Sequence, residues 1–208
     1  MKQLLLDIQP APAPTLENFV AGGNTEALYS LLQVATGKAD VRFVYLWAAP
    51  GSGKSHLLQA CADLAREHGV QLVTADDVQT LSAEAQIDLF NTYNRLRESG
   101  GALIASGDAA PMRMGLRDDL ATRLSWGLVY QLHPLSDEEK AQALMAHAAE
   151  RGMKLPDEVL EYCLRHLRRD LRTLMATLDA LDQWSLTAKR PVTLPLLRQL
   201  LQLPLKLD

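Results

Sequence analysis

The stretch AAPGSGKS at residues 48–55 decides the fold, because it joins an apolar run, FVYLW at 43–47, to a helical pattern. A strand, a loop of small residues and a helix start are the context that a phosphate-binding loop requires. Gly51 and Gly53 allow backbone N–H groups to turn toward phosphate oxygens, and the helix N-terminus adds partial positive charge. The stretch departs from G-x-x-x-x-G-K-[ST] at one position, since Ala48 stands where the first glycine belongs.

This loop predicts a site for a nucleotide and a magnesium ion. Lys54 is expected to reach the outer phosphates, and the hydroxyl of Ser55 is expected to hold Mg²⁺. The alternative is an ordinary glycine-rich turn, which the Lys-Ser pair and both flanks disfavour. The predicted nucleotide-binding residues of the loop and the helix start are Gly51, Ser52, Gly53, Lys54, Ser55 and His56.

Composition excludes several classes of protein. Of the 208 residues, 48% are apolar and 22% charged, which is typical of a globular protein, and the net charge of −4 disfavours a protein that mainly coats nucleic acid. No apolar run is long enough to span a membrane and the N-terminus is too short for a secretory signal, so we predict a cytoplasmic protein. Cys61 and Cys163 lack metal-site spacing and are predicted to be buried thiols rather than a disulfide.

The pattern of elements predicts an α/β fold with a parallel sheet core that carries the P-loop and with a C-terminal α-helical lid domain. Strands alternate with helices up to Pro134, which favours a parallel sheet covered on both faces, and only helices follow. The predicted parts are an N-terminal peptide with a Pro/Ala linker at 1–14, a nucleotide-binding core at 15–134 and a helical lid at 135–208.

Local signals predict the individual elements. Strands are expected at 42–47, 70–77, 102–108 and 128–132, and helices at 26–35, 55–68, 83–98, 116–124, 140–151, 156–167, 171–187 and near the C-terminus. Asn24 and Asp170 are expected to cap helices, and Pro156 to occupy the first position of one. The buried side of the helix at 83–98 is predicted to comprise Ile87, Phe90, Tyr93, Asn94 and Leu96.

Carboxylates follow two of the predicted strands. Asp76 is expected to hold Mg²⁺ through water and Asp77 to polarise an attacking water, although an Asp-Asp pair is also a common turn start. Asp108 ends the next strand, where it can contact the γ-phosphate or position water, or simply initiate a turn.

Two arginines are candidates for phosphate contact. Arg123 precedes the last strand and is expected at the edge of the domain, from which it can reach a neighbour's nucleotide; the alternative is an ion pair with Asp118 or Asp119. Arg172 lies in the first turn of a lid helix, where a cation calls for an anion such as the nucleotide's phosphates. The neighbouring arginines are interpreted as a solvated face: Arg165, Arg168 and Arg169.

Several segments resemble the AAA+ module of the replication initiator DnaA. They are the loop at 51–55, DDVQ at 76–79, RLSWGL at 123–128, DLR at 170–172 and TLENFV at 15–20. The resemblance begins near residue 15 and continues through the lid. DnaA has a helix-turn-helix domain after its lid, whereas this chain ends at Asp208, so we expect no direct sequence-specific DNA binding.

A module of this kind with a short N-terminal tail is similar to the Hda family, the regulatory inactivators of DnaA. In that family the tail docks on the β sliding clamp; the similar residues here are Gln3, Leu4, Leu6 and Ile8. The resemblance implies that the clamp-bound protein, holding ADP or ATP with Mg²⁺, stimulates hydrolysis of DnaA-bound ATP, with little or no ATPase activity of its own. It implies that Arg123 is the arginine finger and Arg172 the lid arginine, and it leaves a homodimer open.

One departure from the family pattern is the short interval of 22 positions between Lys54 and Asp76. AAA+ modules usually have another strand and helix there, so either these elements are absent or a segment is missing from the sequence. Two other functions stay open: an ATPase or loader of the DnaC/IstB kind that acts on DNA or a helicase, and an assembly adaptor in which the nucleotide is purely structural.

Overall fold

The computed structural model describes residues 13–167 and 170–202. These residues form two compact units, a core unit up to Pro134 and a lid unit from Leu135 onward. The residues predicted to bind the sliding clamp, Gln3, Leu4, Leu6 and Ile8, lie outside the described residues.

The core unit contains a parallel sheet, as predicted. Its strands are β1 (Phe43–Trp47), β2 (Leu72–Ala75), β3 (Ala102–Gly107) and β4 (Leu128–Gln131). Their order in the sheet is β2-β3-β1-β4, and every neighbouring pair is parallel. All four strands therefore present their carboxyl ends at one edge of the sheet, which is where ligands bind in open α/β sheets.

Helices cover both faces of this sheet, which confirms the prediction. They are α1 (Thr25–Ala35), α2 (Lys54–Glu67), α3 (Ala83–Ser99) and α4 (Asp118–Ser125). Alternate residues of a strand point to opposite faces. Accordingly, Val44 packs in a cluster with Leu31 of α1 and Leu57 of α2, whereas Tyr45 packs in a second cluster with Tyr93 of α3 and Leu120 of α4.

The short interval after the P-loop contains one helix and one strand. Residues 68–71 lead directly from α2 to β2, with Gly69 in the left-handed conformation that ends the helix (φ +66°). Among the described residues the sheet has four strands, and β2 forms one edge of it. The additional strand and helix that AAA+ modules usually have in this interval do not occur here.

Two local predictions for the core unit are wrong. Tyr93 and Leu96 of α3 are buried as predicted, but Ile87 is 39% exposed, because the buried stripe begins at Leu89. Asn24 does not cap α1: it lies in a 3-10 turn, and its amide donates to the carbonyl of His133 while its carbonyl accepts from the His133 N–H. Asn24 thereby joins the start of α1 to the segment after β4.

The lid unit is helical, as predicted. Its helices are α5 (Asp137–Glu150), α6 (Asp157–His166), α7 (Leu171–Ala188) and α8 (Leu194–Gln202), which pack around a separate apolar cluster. Asp170 caps α7 by accepting from the N–H of Thr173, which confirms that prediction. Pro156 precedes α6 with an extended backbone instead of occupying its first helical position, since its ψ of 145° is not helical.

Cysteine placement agrees with the sequence prediction. Cys61 lies in the core unit and Cys163 in the lid unit, and both are free and fully buried thiols. Burial raises the pKa of the Cys61 thiol to about 12 and that of Cys163 to about 11, because an apolar environment disfavours the thiolate.

Candidate functional site

The loop at 48–55 leaves backbone donors available at the start of α2. Gly51 and Gly53 have φ values of +82° and +87°, which glycine adopts without strain. The hydroxyl of Ser52 donates to the carbonyl of Ala49 at 2.7 Å and tightens the turn. No side chain caps the N-terminus of α2 and no acidic residue lies in its first turn, so its N–H groups remain available to an anion.

Lys54 is a buried cation without a carboxylate partner. Its side chain is among the few buried charged groups of the core unit, and Nζ donates to the carbonyl oxygen of Ala48 at 3.0 Å. A buried ammonium calls for a nearby anion, and no residue of the described chain supplies one. The hydroxyl of Ser55 is exposed at the same helix start. This donor set fits the phosphates of a nucleotide.

The segment at 15–20 packs directly on the phosphate loop, a role that the sequence did not reveal. A Cβ at Gly53 would lie 2.7 Å from a ring carbon of Phe19, so any larger residue there would force the ring to shift. The rings of Phe19 and His56 are 5.6 Å apart, and His56 Nε2 hydrogen-bonds the carbonyl of Thr15 at 2.8 Å. The imidazole of His56 thus binds this segment, so its predicted nucleotide contact is left to its backbone N–H.

Ser106 links the Asp76–Asp77 segment, which follows β2, to the end of β3. Its hydroxyl, fully buried, donates to Asp76 Oδ1 and accepts from the backbone N–H of Asp77 at 3.2 Å. The N–H of Asp77 also donates to Asp76 Oδ1 at 3.0 Å, and Asp77 adopts a left-handed backbone (φ +46°). Sequence reasoning missed Ser106; the available signal was a polar residue within the apolar run ALIASG.

Tyr45 and Gln79 crowd the end of β3. The hydroxyl of Tyr45 donates to the carbonyl of Ala109 at 3.0 Å, and burial, followed by the charges of Asp108 and Asp77, raises the pKa of its phenol. Gln79 donates to Asp77 Oδ1 at 3.2 Å, while its own Oε1 is buried without a hydrogen-bond partner in the described chain. Asp76, Asp77 and Asp108 therefore meet at the carboxyl edge of the sheet, as the parallel topology requires.

The predicted Mg²⁺ site has only two candidate protein ligands, Ser55 and Asp76. Within residues 13–167 and 170–202 no three His, Cys, Asp or Glu side chains are grouped as a metal site. Mg²⁺ needs only one or two protein oxygens when phosphates and waters complete its shell. Ser55 and Asp76 are the residues that would hold it, and Mg²⁺ would supply charge neutralisation at the phosphates.

Arg123 lies against aromatic rings and not against a carboxylate. Its Cζ is 4.2 Å from the ring centroid of Trp126, 5.7 Å from that of Phe90 and 6.0 Å from that of Tyr93. The alternative of an ion pair with Asp118 or Asp119 is wrong. Asp119 instead pairs with Arg117 at 2.8 Å, and that hydrogen-bonded partner lowers the pKa of the carboxyl.

The guanidinium of Arg123 keeps its donors free. No hydrogen bond or ion pair joins it to another residue in the described part of the chain. Trp126 is 59% exposed, and the Cζ of Arg97 is 6.0 Å from its ring centroid. We name the set of Phe90, Tyr93, Arg97, Arg123 and Trp126 the arginine surface; of its members, sequence reasoning identified only Arg123 as functional.

Arg172 is exposed in the first turn of α7, in the lid unit. No ion pair involves it among the described residues, and its contact with the nucleotide stays a prediction. Arg165 lies 3.7 Å from Glu161 with both side chains exposed, as expected for a solvated face. Arg168 and Arg169 lie outside the described residues.

A segment of each unit matches the model of a known family. Residues 137–201 match the Hda lid domain, and residues 65–131 match the bacterial DnaA ATPase domain. No helix in the described ranges has the length and apolar character needed to cross a membrane.

Solved structures share the fold. Domain III of DnaA from Thermotoga maritima is 26% identical, with a TM-score of 0.74 over 93% of this chain and 98% of that one. AMPPCP-bound DnaA from Aquifex aeolicus is 21% identical, with a TM-score of 0.69 over 86% of this chain and 70% of that one. The Thermotoga maritima RuvB branch migration motor is 13% identical, with a TM-score of 0.65 over 92% of this chain and 71% of that one. The core therefore has the AAA+ fold of DnaA and RuvB.

Proposed function

We propose that this Hda-like chain, a DnaA-type AAA+ core followed by an Hda-type lid, regulates replication initiation by stimulating hydrolysis of ATP bound to DnaA. Arg123 is the arginine finger and acts in trans on the nucleotide of DnaA. The observation that carries the proposal is the position of Arg123 at the sheet edge opposite the chain's own phosphate loop, with its N–H donors unpaired in the described chain.

The topology supports action in trans. Arg123 and Trp126 immediately precede β4, so they lie at the amino edge of the parallel sheet. Tyr93 of the arginine surface stacks on Phe43, the first residue of β1, with 4.3 Å between ring centroids. The phosphate loop follows Trp47, at the other end of β1. Phe43 and Trp47 are four residues apart, which is about 13 Å along a strand. Arg123 therefore lies at the edge of the sheet opposite its own loop, which supports contact with a neighbour's nucleotide.

The chemistry of Arg123 suits this role. A planar guanidinium presents several N–H donors to the phosphoryl oxygens that gain charge during transfer, and an arginine finger contributes about 10³ to 10⁵ to the rate. Hydrolysis at DnaA therefore depends on this side chain, whereas the water-activating role predicted for Asp77 concerns only the chain's own nucleotide.

The chain's own nucleotide has a different role in this proposal. ADP or ATP bound to the loop, with Mg²⁺ held by Ser55 and Asp76, orders the core, and Arg172 and Asp108 contact its phosphates. AMPPCP in the DnaA structure from Aquifex aeolicus supports adenine nucleotide as the ligand. Lys54 would stabilise the bound phosphates in place of its present carbonyl partner.

The β sliding clamp is the second proposed partner. The tail residues Gln3, Leu4, Leu6 and Ile8 would bind the clamp as an extended peptide, with the glutamine amide in polar contacts and the apolar side chains in a pocket. The protein would act in the cytoplasm on clamps loaded on DNA, as a monomer or a homodimer.

A clamp-binding measurement tests the tail. Surface-immobilised clamp is titrated with wild type, Gln3→Ala and the matched variant Gln9→Ala. We expect Gln3→Ala to weaken clamp binding at least tenfold with ADP affinity unchanged, and Gln9→Ala to behave as wild type. Equal clamp affinity of all three proteins would contradict the assignment.

An ATPase of the DnaC/IstB kind is the competing function, favoured by the intact Lys54 and the paired carboxylates. It predicts substantial turnover by the protein alone that is lost in Asp77→Asn, and strongly salt-dependent DNA binding. We expect neither, because the net charge is −4 and the finger lies away from its own loop.

A further inference from the structure

We infer that Trp126 is a positioning residue: with Phe90 and Tyr93 it holds the face of the Arg123 guanidinium and leaves the N–H edge free for a phosphate on a partner. The contacts of Arg123 with the three rings lie within this chain and do not depend on a partner. Only the source of the phosphate, the nucleotide bound to DnaA, rests on the proposed function.

The geometry separates the two parts of the guanidinium. The 4.2 Å between Arg123 Cζ and the Trp126 centroid is well within the cation–π range of about 6 Å, and a guanidinium that stacks on an aromatic ring does so through its own face. Hydrogen bonds to phosphate use the edge, because all N–H donors lie in the guanidinium plane. Stacking and phosphate binding are therefore compatible in one side chain.

Nothing else in the described chain competes for this edge. Asp119, the carboxylate expected to pair with Arg123, is held by Arg117 through bonds at 2.8 and 3.2 Å. Arg97, 6.0 Å from the Trp126 ring, adds a second positive charge beside the same aromatic side chain. Two cations without a carboxylate create a positive potential that favours an anionic ligand.

Trp126 is too exposed for core packing to be its main role. A tryptophan that is 59% exposed contributes little to the core, whose boundary on this side is formed by Tyr93 and Leu124. Contact with Arg123 gives this exposed ring a structural role. Arginine loses much rotamer freedom when it is ordered, so a finger held in advance loses less of it when the partner's nucleotide arrives.

An NMR experiment tests the stack in the free protein, without DnaA. The Nε–Hε resonance of Arg123, assigned by its loss in Arg123→Ala, is expected to be shifted upfield by ring currents. Trp126→Ala should return it to the random-coil position, Trp126→Phe should restore part of the shift, and Tyr29→Ala, an exposed aromatic elsewhere in the core unit, should leave it unchanged. A resonance that is the same in wild type and Trp126→Ala overturns the inference.

A hydrolysis experiment tests the consequence, using DnaA–ATP and DNA-loaded clamp. We expect Trp126→Ala to lower the maximal stimulated rate about tenfold with a small change in the half-saturating concentration, and Trp126→Phe to retain at least half of the rate. Amide spectra and thermal unfolding of each variant establish that it is folded; if Trp126→Ala is not, Trp126→Leu takes its place.

The outcomes separate the inference from the proposed function. If Arg123→Ala abolishes stimulation while Trp126→Ala matches wild type, the positioning role is overturned and the finger stands. If Arg123→Ala has no effect, the finger fails, and the NMR result alone decides the stack. If Trp126→Ala loses stimulation with the Arg123 resonance unmoved, Trp126 contacts the partner directly and the positioning role is again overturned.

Discussion

Ser106, at the end of β3, donates its hydroxyl hydrogen to the carboxylate of Asp76, which follows β2. This bond joins two neighbouring strands at the edge where the phosphate loop, Asp77 and Asp108 also lie. Because the hydroxyl also accepts from the backbone N–H of Asp77, one buried side chain holds both the carboxylate of Asp76 and the backbone of Asp77. The geometry of the predicted Mg²⁺ ligand thus depends on a residue that need not touch the nucleotide.

Replacing Ser106 by alanine should weaken magnesium-dependent nucleotide binding. Loss of both hydrogen bonds is expected to lower the free energy of unfolding by about 1 to 2 kcal/mol. Calorimetric titration of Ser106→Ala with ADP should show that Mg²⁺ improves affinity less than it does in wild type. Ser99→Ala, which removes an exposed hydroxyl at the end of α3, serves as the control. An unchanged Mg²⁺ effect in Ser106→Ala would argue against this role of Asp76.

The two loop glycines should differ in their tolerance of alanine. Gly51→Ala adds only the strain of a left-handed backbone, about 1 to 2 kcal/mol, since no atom lies within 4 Å of its Cβ position. Gly53→Ala adds the same strain and a clash with Phe19 at 2.7 Å. Chemical unfolding without nucleotide should therefore show a clearly larger loss for Gly53→Ala.

A double variant isolates the clash. Phe19→Leu should recover part of the stability lost in Gly53→Ala and none of that lost in Gly51→Ala. Additive effects of Phe19→Leu and Gly53→Ala would show that the ring and the loop are not coupled in this way.

Alkaline pH should destabilise the core unit through Cys61. Its pKa of about 12 in the folded protein exceeds that of an unfolded thiol, which is near 8.5. The stability that the buried neutral thiol contributes is therefore complete below about pH 8.5 and is lost as the pH rises toward 12. The free energy of unfolding should fall by up to about 1.4 kcal/mol per pH unit above 9 for this thiol.

Denaturant titrations at pH 8 and pH 10 provide the measurement, with Cys61→Ala as the comparison that lacks the thiol. Wild type should lose more stability than Cys61→Ala over this interval. A thiol reagent at pH 8 should also label neither Cys61 nor Cys163 until denaturant is added. Rapid labelling of the native protein would refute the buried environment.

Asp179 should stabilise the lid unit. Its Oδ1 lies 2.6 Å from His147 Nε2 and 2.9 Å from Arg151 Nε, joining α7 to α5 and to the residue that follows it. Asp179→Asn should lower the thermal midpoint of the lid by several degrees, whereas Asp182→Asn, on the same helix and without an ion pair among the described residues, should have little effect. Equal midpoints for the two variants would contradict the ascribed role.

Local sequence patterns were sufficient for the architecture and for the phosphate loop. Strand–loop–helix order, the glycines of the loop and the cap at Asp170 are short-range signals, and the structure confirms them. Helix faces were less certain: Ile87 lies outside the buried stripe of α3 because the packing of Leu89 and Tyr93 sets the rotation of the helix.

Long-range contacts were not predictable in this way. Three contacts join residues that are distant in sequence. Phe19 packs on Gly53, Ser106 bonds Asp76, and Arg123 lies on the rings of α3. No local periodicity encodes such pairs, since they depend on how strands and helices are placed in three dimensions. The sequence supplies the candidate site residues, whereas the side chains that contact and position them emerge only from the fold.

The central claim is that Arg123 acts on the nucleotide of another protein, and hydrolysis of DnaA-bound ATP measures this most directly. DnaA–ATP is incubated with DNA-loaded clamp and either wild type, Arg123→Ala or the control Arg66→Ala, an exposed arginine of α2 that pairs with Asp63. We predict that wild type and Arg66→Ala stimulate hydrolysis equally and that Arg123→Ala lowers the rate at least a hundredfold, with ADP binding by the variant unchanged. Full stimulation by Arg123→Ala would contradict the account.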